Sequence, residues 1–231
     1  MKSAPSQNCT MVSFFEGIFP ESWQKALIIL IPKPNGEGMR PISLLSCFLK
    51  ILEKIFHTRL TWYVESNCLL SGFQSGFRAD RSCADNLTSL FSFIHTGLLR
   101  GKLVIGAFLD IQSAFDVIPS ILSKDLNKIG IPKHMRRFIE NLIVDRKTFF
   151  VIDGEVKGPF NAQKGTPQGS ILSPLLFNIY LKDLGKQLPD GAIILQYADD
   201  IVILSAHTDP RSLKEIMQKA LNSVFTFLKE A

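Results

Sequence analysis

The stretch Ala192–Ala206, AIILQYADDIVILSA, constrains this chain more than any other: two adjacent carboxylates, Asp199 and Asp200, sit between two short apolar runs. The runs Ala192–Tyr197 and Ile201–Ser205 are rich in Ile, Leu and Val and three residues apart, the pattern of a β-hairpin with the acids at its tip. Unpaired carboxylates side by side repel each other, and a cation is the usual remedy. Asp-Asp also suits an ordinary polar turn, so a second acidic site has to decide.

That second site lies in Lys102–Asp116, KLVIGAFLDIQSAFD, where the apolar or small residues Leu103 to Leu109 run into Asp110. A continuous run of this kind predicts a strand buried on both faces, with Asp110 at the end of a central strand. If this strand pairs with the hairpin, Asp110, Asp199 and Asp200 converge. Three acidic oxygen donors with little His or Cys nearby suit Mg²⁺ or Mn²⁺ rather than zinc. Two such ions, roughly 3.5–4 Å apart, could activate a 3′-hydroxyl and clamp an in-line phosphoryl transfer.

With these residues in view, an ordered series of motifs resembles the reverse transcriptases of non-LTR (LINE-like) retrotransposons, jockey-type elements in particular. The series is PESWQKALIILIPKPNGEGMRPISLLS (Pro20–Ser46), FQSGFRADRSCADNL (Phe73–Leu87), FLDIQSAFDVI (Phe108–Ile118), KGTPQGSILSPLLFNIYLKDL (Lys164–Leu184) and QYADD (Gln196–Asp200). YADD alone is moderately specific; the five in this order are far more so. A group II intron or retron-type reverse transcriptase shares YADD, but the RPISLLS and QSGFR segments favour the LINE side. From a different class, a non-catalytic relic that binds RNA without turnover would carry the same residues.

The resemblance implies an α+β right-hand polymerase fold, with fingers over residues 1–100 and an antiparallel palm sheet within 101–231. A fingers-side helical and hairpin segment would be inserted at about 120–160. It also implies RNA-directed DNA synthesis from dNTPs on an RNA template and DNA primer, with Asp110, Asp199 and Asp200 holding two Mg²⁺ ions. The family continues into a thumb and carries an endonuclease, so the expectation is a piece of a retrotransposon polyprotein. Such a piece is expected to fold but, gripping the primer end poorly, to polymerise poorly or not at all by itself.

Further roles follow by motif position. Lys33 and Arg40 flank a turn containing Pro34, Asn35, Gly36 and Gly38, between strands expected at Gln24–Ile31 and Met39–Leu45. In the family these basic residues lie over the triphosphate, where Arg offers a bidentate fork and Lys a point charge. Ile111 and Phe115 follow Asp110 in the nucleotide pocket, and the bulk of Phe115 would exclude a 2′-hydroxyl. Gln168 and Gly169, in a loop where Gly165 and Gly169 permit close backbone approach, would touch the incoming nucleotide or its template partner. Gln74, Arg78 and Arg81, interleaved with Phe73, Phe77 and glycines, would contact the template.

Helices are expected over Ser46–Glu65, Lys124–Gly130, from Ser173 with Pro174 at its first turn, and over Asp209–Ala231, the last with Leu213, Ile216, Met217, Leu221, Val224, Phe225 and Leu228 on its apolar side. Asp153-Gly154 marks a hairpin. Composition agrees without leading there. The 231 residues are 46% hydrophobic, enough for a sizeable core, and the net charge of +5 is compatible with a polyanionic partner. Cys9, Cys47, Cys68 and Cys83 lack metal-ligand spacing and read as reduced thiols. With no apolar leader and no run long enough to span a bilayer, the chain is expected to be soluble and intracellular, with no membrane partner.

Overall fold

The computed structural model describes residues 16, 20–32, 38–111, 122–144, 146–152, 154–162 and 165–230. Lys33, Phe115 and Asp116 lie outside these residues. The fold is mixed α/β, and the chain divides into two compact units, Met1–Tyr63 with Phe115–Ser173, and Val64–Ala114 with Pro174–Ala231. The chain therefore changes unit at 63/64, 114/115 and 173/174.

In the first unit, strands β1 (Lys25–Pro32) and β2 (Met39–Leu44) form the expected antiparallel pair. Helix α1 spans Cys47–Ser66. Its residues Leu49, Leu52, Phe56 and Leu60 recur at three and four and are buried. The Phe56 ring stacks on Phe138, with centroids 4.2 Å apart.

The same unit holds α3 (Leu122–Lys128) and α4 (Lys133–Ile143), then a hairpin of β4 (Arg146–Ile152) and β5 (Glu155–Ala162). β4 pairs in parallel with β1, giving the sheet order β2-β1-β4-β5. Gly130 follows α3 with φ +80°, as a helix-terminating glycine does, and a Cβ there would meet the Tyr63 hydroxyl at 2.9 Å. That hydroxyl donates to the Ile129 carbonyl.

The second unit is built on the antiparallel sheet β3-β7-β6, comprising β3 (Leu103–Asp110), β6 (Ala192–Tyr197) and β7 (Asp200–His207). Helices α2 (Cys83–Leu99) and α6 (Pro210–Glu230) pack against it. Helix α5 (Ser173–Tyr180) carries the buried residues Leu175, Leu176, Ile179 and Tyr180. Asp209 opens α6 by accepting hydrogen bonds from the Ser212 amide and hydroxyl, which hold its carboxyl below the usual range. Among the described residues no helix is long and apolar enough to cross a membrane. Cys47, Cys68 and Cys83 are free thiols at the surface.

Two expectations require correction here. β3 is an edge strand among the described residues and is not buried on both faces: Phe108 is 73% exposed. An apolar run fixes extended backbone but not the number of neighbours, and this sheet is a small antiparallel one instead of a parallel sheet covered on both sides. Phe225, expected on the apolar side of α6, is 60% exposed; Leu213, Met217 and Val224 are buried as expected, joined by Ala220.

Candidate active site

The acidic residues are positioned by strand register. Antiparallel pairing sets Asp110 opposite Asp200, and Tyr197 opposite Asp200 on the other side. Residues directly opposite across an antiparallel pair share a face. Asp110, Asp200 and Tyr197 therefore point the same way, together with Phe108, Val202 and Leu195 two residues along. Helix α2 lies on that face, because a Cβ at Gly97 would meet Val104 and Ala206, which have the same parity. A cavity of about 330 Å³ opens there, lined by Asn86 and Leu90 of α2 and by Asp110, Tyr197 and Asp200 of the sheet.

Asp199 occupies the turn with Ala198. Ala198 has φ +56° while Asp199 has no positive φ, the pattern of a type II′ hairpin turn with alanine where glycine is usual. The hairpin is thus as the sequence indicates, except that Asp200 is the first residue of β7 and only Ala198 and Asp199 form the connection.

Asp110 and Asp200 are exposed and Asp199 is half-buried. None of the three side-chain carboxylates takes part in a hydrogen bond or ion pair among the described residues. Like charges directly opposite on a sheet are destabilising, so a cation between Asp110 and Asp200 would relieve a cost that the fold leaves standing. Carboxylate oxygens form a donor set suited to Mg²⁺ or Mn²⁺, and Cys83 also lines the cavity. As they stand, no three His, Cys, Asp or Glu side chains are gathered closely enough among the described residues to enclose a metal. Closing the site requires rotation of exposed carboxylates that nothing else holds.

The segment after residue 72 plays a part that composition did not reveal. Gln74 forms a parallel bridge with Gln196, the Ser75 amide donates to the Gln196 carbonyl (2.9 Å), and the Gln196 amide donates to the Phe73 carbonyl (3.0 Å). Asn86 supports this from α2, its amide donating to the Gln196 carbonyl (2.7 Å) and its oxygen accepting from the Ser75 hydroxyl (2.8 Å). Gln74 is only 2% exposed, and its carboxamide is bound to the backbone of Ala198 and Gly76. Its side chain is therefore turned to the 197–199 hairpin.

Arg78 is also held internally. It forms a bidentate pair with Glu65 and donates to the Ser71 and Gln74 carbonyls, so it braces the segment. Arg81 donates to the Gly72 carbonyl but is exposed. Asn178, on the otherwise apolar helix α5, donates to the Gly76 carbonyl (2.9 Å). A buried asparagine in the middle of SPLLFNIY was the one sequence signal for this role.

In the first unit Arg40 stands exposed on β2, opposite Ile31. The loop 165–171 is pinned to β2 and α1. The Ser43 amide donates to the Gln168 carbonyl (2.7 Å), and a Cβ at Gly169, where φ is +124°, would lie 2.6 Å from the Ser43 oxygen. The close approach that Gly169 permits here is to β2. Glu53, fully buried, accepts from the Ser170 hydroxyl (2.8 Å) and the Ile171 amide (2.6 Å). Burial pushes its carboxyl above the usual range, and these hydrogen bonds only partly oppose that. Ile111, half-buried, follows β3 directly in the second unit.

The sheet thus pairs one strand-end aspartate with an Asp-Asp hairpin, and comparison with known proteins gives the family. Residues 31–231 match the family model described as "Reverse transcriptase (RNA-dependent DNA polymerase)", and the chain belongs to that family. It is 30% identical over 202 residues to the "RNA-directed DNA polymerase from mobile element jockey" of Drosophila melanogaster, covering 82% of this chain and 22% of that protein. The jockey protein of Drosophila funebris is 30% identical over 90% of this chain and 24% of its own length. A "Probable RNA-directed DNA polymerase from transposon BS" of Drosophila melanogaster is 28% identical over 91% and 24%. The chain thus spans about a quarter of the length of these curated relatives. The resemblance to non-LTR retrotransposon reverse transcriptases drawn from the motifs is borne out.

Proposed function

We propose that this chain is the fingers-and-palm portion of a retrotransposon reverse transcriptase, adding deoxynucleotides to a primer 3′-hydroxyl on an RNA template. The observation that carries the reading is the register that sets Asp110 opposite Asp200 on one face, beside the turn bearing Asp199. On this reading the β3-β7-β6 sheet belongs to the palm and the β1-β2 pair to the fingers.

Asp110, Asp199 and Asp200 would hold two Mg²⁺ ions, which when bound make the primer hydroxyl more acidic and offset charge on the departing pyrophosphate. The protein's own part is positional. β3 and β7 are hydrogen-bonded along their length, so the two strand-borne carboxylates keep one spacing. Their exposure lets them turn toward an incoming charge without breaking any internal bond. Arg40, and Lys33 by motif, supply positive charge for a triphosphate. Gln168 and Gly169, fixed by their contacts to Ser43, would present a rigid edge to the nascent pair, with Ile111 and Phe115 shaping the sugar pocket. Arg81 is the remaining candidate for contact with template. Template, primer and the rest of the polyprotein would be the partners.

The test is extension of a DNA primer on an RNA template by the purified chain, with and without Mg²⁺. Slow, metal-dependent incorporation of dNTPs is expected, limited by the grip on the primer end. RNA binding without any incorporation would favour a non-catalytic relic.

A further inference from the structure

We infer that Gln74, supported by Gly76 and Asn178, is a positioning residue that fixes the Ala198–Asp199 turn and thereby the direction in which Asp199 meets a divalent cation. This rests on the metal-site reading above and adds to it a specific device.

Ala198 sits at φ +56°, a positive-φ conformation that only glycine adopts without strain. Such strain persists only where the surroundings over-determine it. Here they do. The Ala198 amide donates to Gln74 Oε1 (3.1 Å), and Gln74 Nε2 donates back to the Ala198 carbonyl (3.1 Å). The Gly76 amide donates to the same Oε1 (2.8 Å). One side chain therefore satisfies both backbone groups of the strained residue, as a neighbouring strand would.

A carboxamide alone among similar side chains has both the acceptor and the donor this requires; a glutamate would lack the donor. Because Nε2 holds the Ala198 carbonyl, it holds the peptide plane leading into Asp199. Gly76 makes the approach possible, since a Cβ there would sit 2.2 Å from the Ala198 nitrogen. Asn178 anchors the Gly76 carbonyl from behind.

The experiment measures Mn²⁺ affinity from the electron paramagnetic resonance signal of the free ion. It uses the wild-type chain, Asp199→Asn, Gln74→Met and Gln74→Met with Ala198→Gly, with circular dichroism confirming the fold of each. Asp199→Asn is expected to bind Mn²⁺ at least about tenfold more weakly, and Gln74→Met about three- to tenfold more weakly. Ala198→Gly is expected to recover most of the second loss, because glycine adopts the turn without help.

Wild-type affinity in Gln74→Met alongside weakened Asp199→Asn overturns the inference and leaves the metal site standing, as does failure of Ala198→Gly to recover affinity. Wild-type affinity in Asp199→Asn overturns the metal site itself. If Gln74→Met loses its fold, Asn178→Ala serves instead. A loss of about twofold or more is then expected, because Asn178 holds Gly76 and reaches the turn only through it, and unchanged affinity overturns the inference.

Discussion

Replacing Gly76 with alanine places a methyl carbon 2.2 Å from the Ala198 nitrogen, 2.9 Å from its Cα and 3.1 Å from the Tyr197 carbonyl carbon. All three are backbone atoms and cannot swing aside as a side chain would. Ordinary contact is about 3.5 Å, so the turn or the 73–76 segment must retreat by about 1.3 Å. Overpacking of this kind costs roughly 1–3 kcal/mol. The retreat also stretches the three Gln74 hydrogen bonds and the two that bridge residues 73–75 to Gln196. At about 1 kcal/mol net for each one lost, two such losses bring the total to roughly 3–5 kcal/mol. For a chain of this size that corresponds to a melting temperature lower by roughly 6–20 °C.

The control is Gly72→Ala, where a Cβ meets nothing within 4 Å; it is expected to change stability by no more than about 0.5 kcal/mol. Thermal and urea melts of both variants supply the comparison. In an active enzyme, Gly76→Ala is also expected to lower the rate by about 100-fold, the usual effect of displacing a reacting group by about 1 Å. If Gly76→Ala melts within 2 °C of Gly72→Ala, with 2 °C taken as roughly the shift of a 0.5–1 kcal/mol change, the claim that this segment abuts the Ala198–Asp199 turn is refuted.

Other predictions follow from the remaining parts of the structure. Glu53 has its carboxyl raised above the ordinary 4.5 by burial, so the native state holds its proton more tightly than the unfolded chain does. The associated stability is full below pH 4.5 and is lost as pH climbs through the folded value. Glu53→Gln keeps an acceptor for Ser170 and Ile171 but has no proton to lose, so its urea midpoint is expected to fall less than the wild type's over that range; parallel pH profiles would exclude the assignment. Phe115→Val is expected to raise ribonucleotide use relative to deoxynucleotide use in competition assays, and unchanged discrimination would make Phe115 ordinary core.

The hairpin and its acids were legible in the sequence because two β-branched runs around a short polar gap admit few other folds. Strand β3 was legible as a strand but not in its placement, since Leu103–Leu109 has the same apolar content whether it gains one neighbour or two. Helix α2 was hidden by Ser, Thr and Gly among its apolar positions and by the loop-like composition just before it. Its Ser82-x-x-Asp85 start, in which the Asp85 carboxylate accepts from the Ser82 amide and hydroxyl, was readable. The parallel pairing of β1 with β4 and the grip of Gln74 on Ala198 join residues more than a hundred positions apart. No local pattern encodes such partners. Gln74 was therefore read by its loop setting, which gives no hint that its side chain is buried.

The central claim is that Asp110, Asp199 and Asp200 support RNA-templated DNA synthesis, and single-turnover addition of one dNTP tests it most directly. With the chain in excess over an RNA template annealed to a DNA primer, the assay does not depend on processive grip. The account predicts slow addition of the complementary deoxynucleotide that requires Mg²⁺ or Mn²⁺ and is abolished by Asp110→Asn and by Asp199→Asn in folded protein. No addition by the wild-type chain, or addition that survives either substitution, would contradict it.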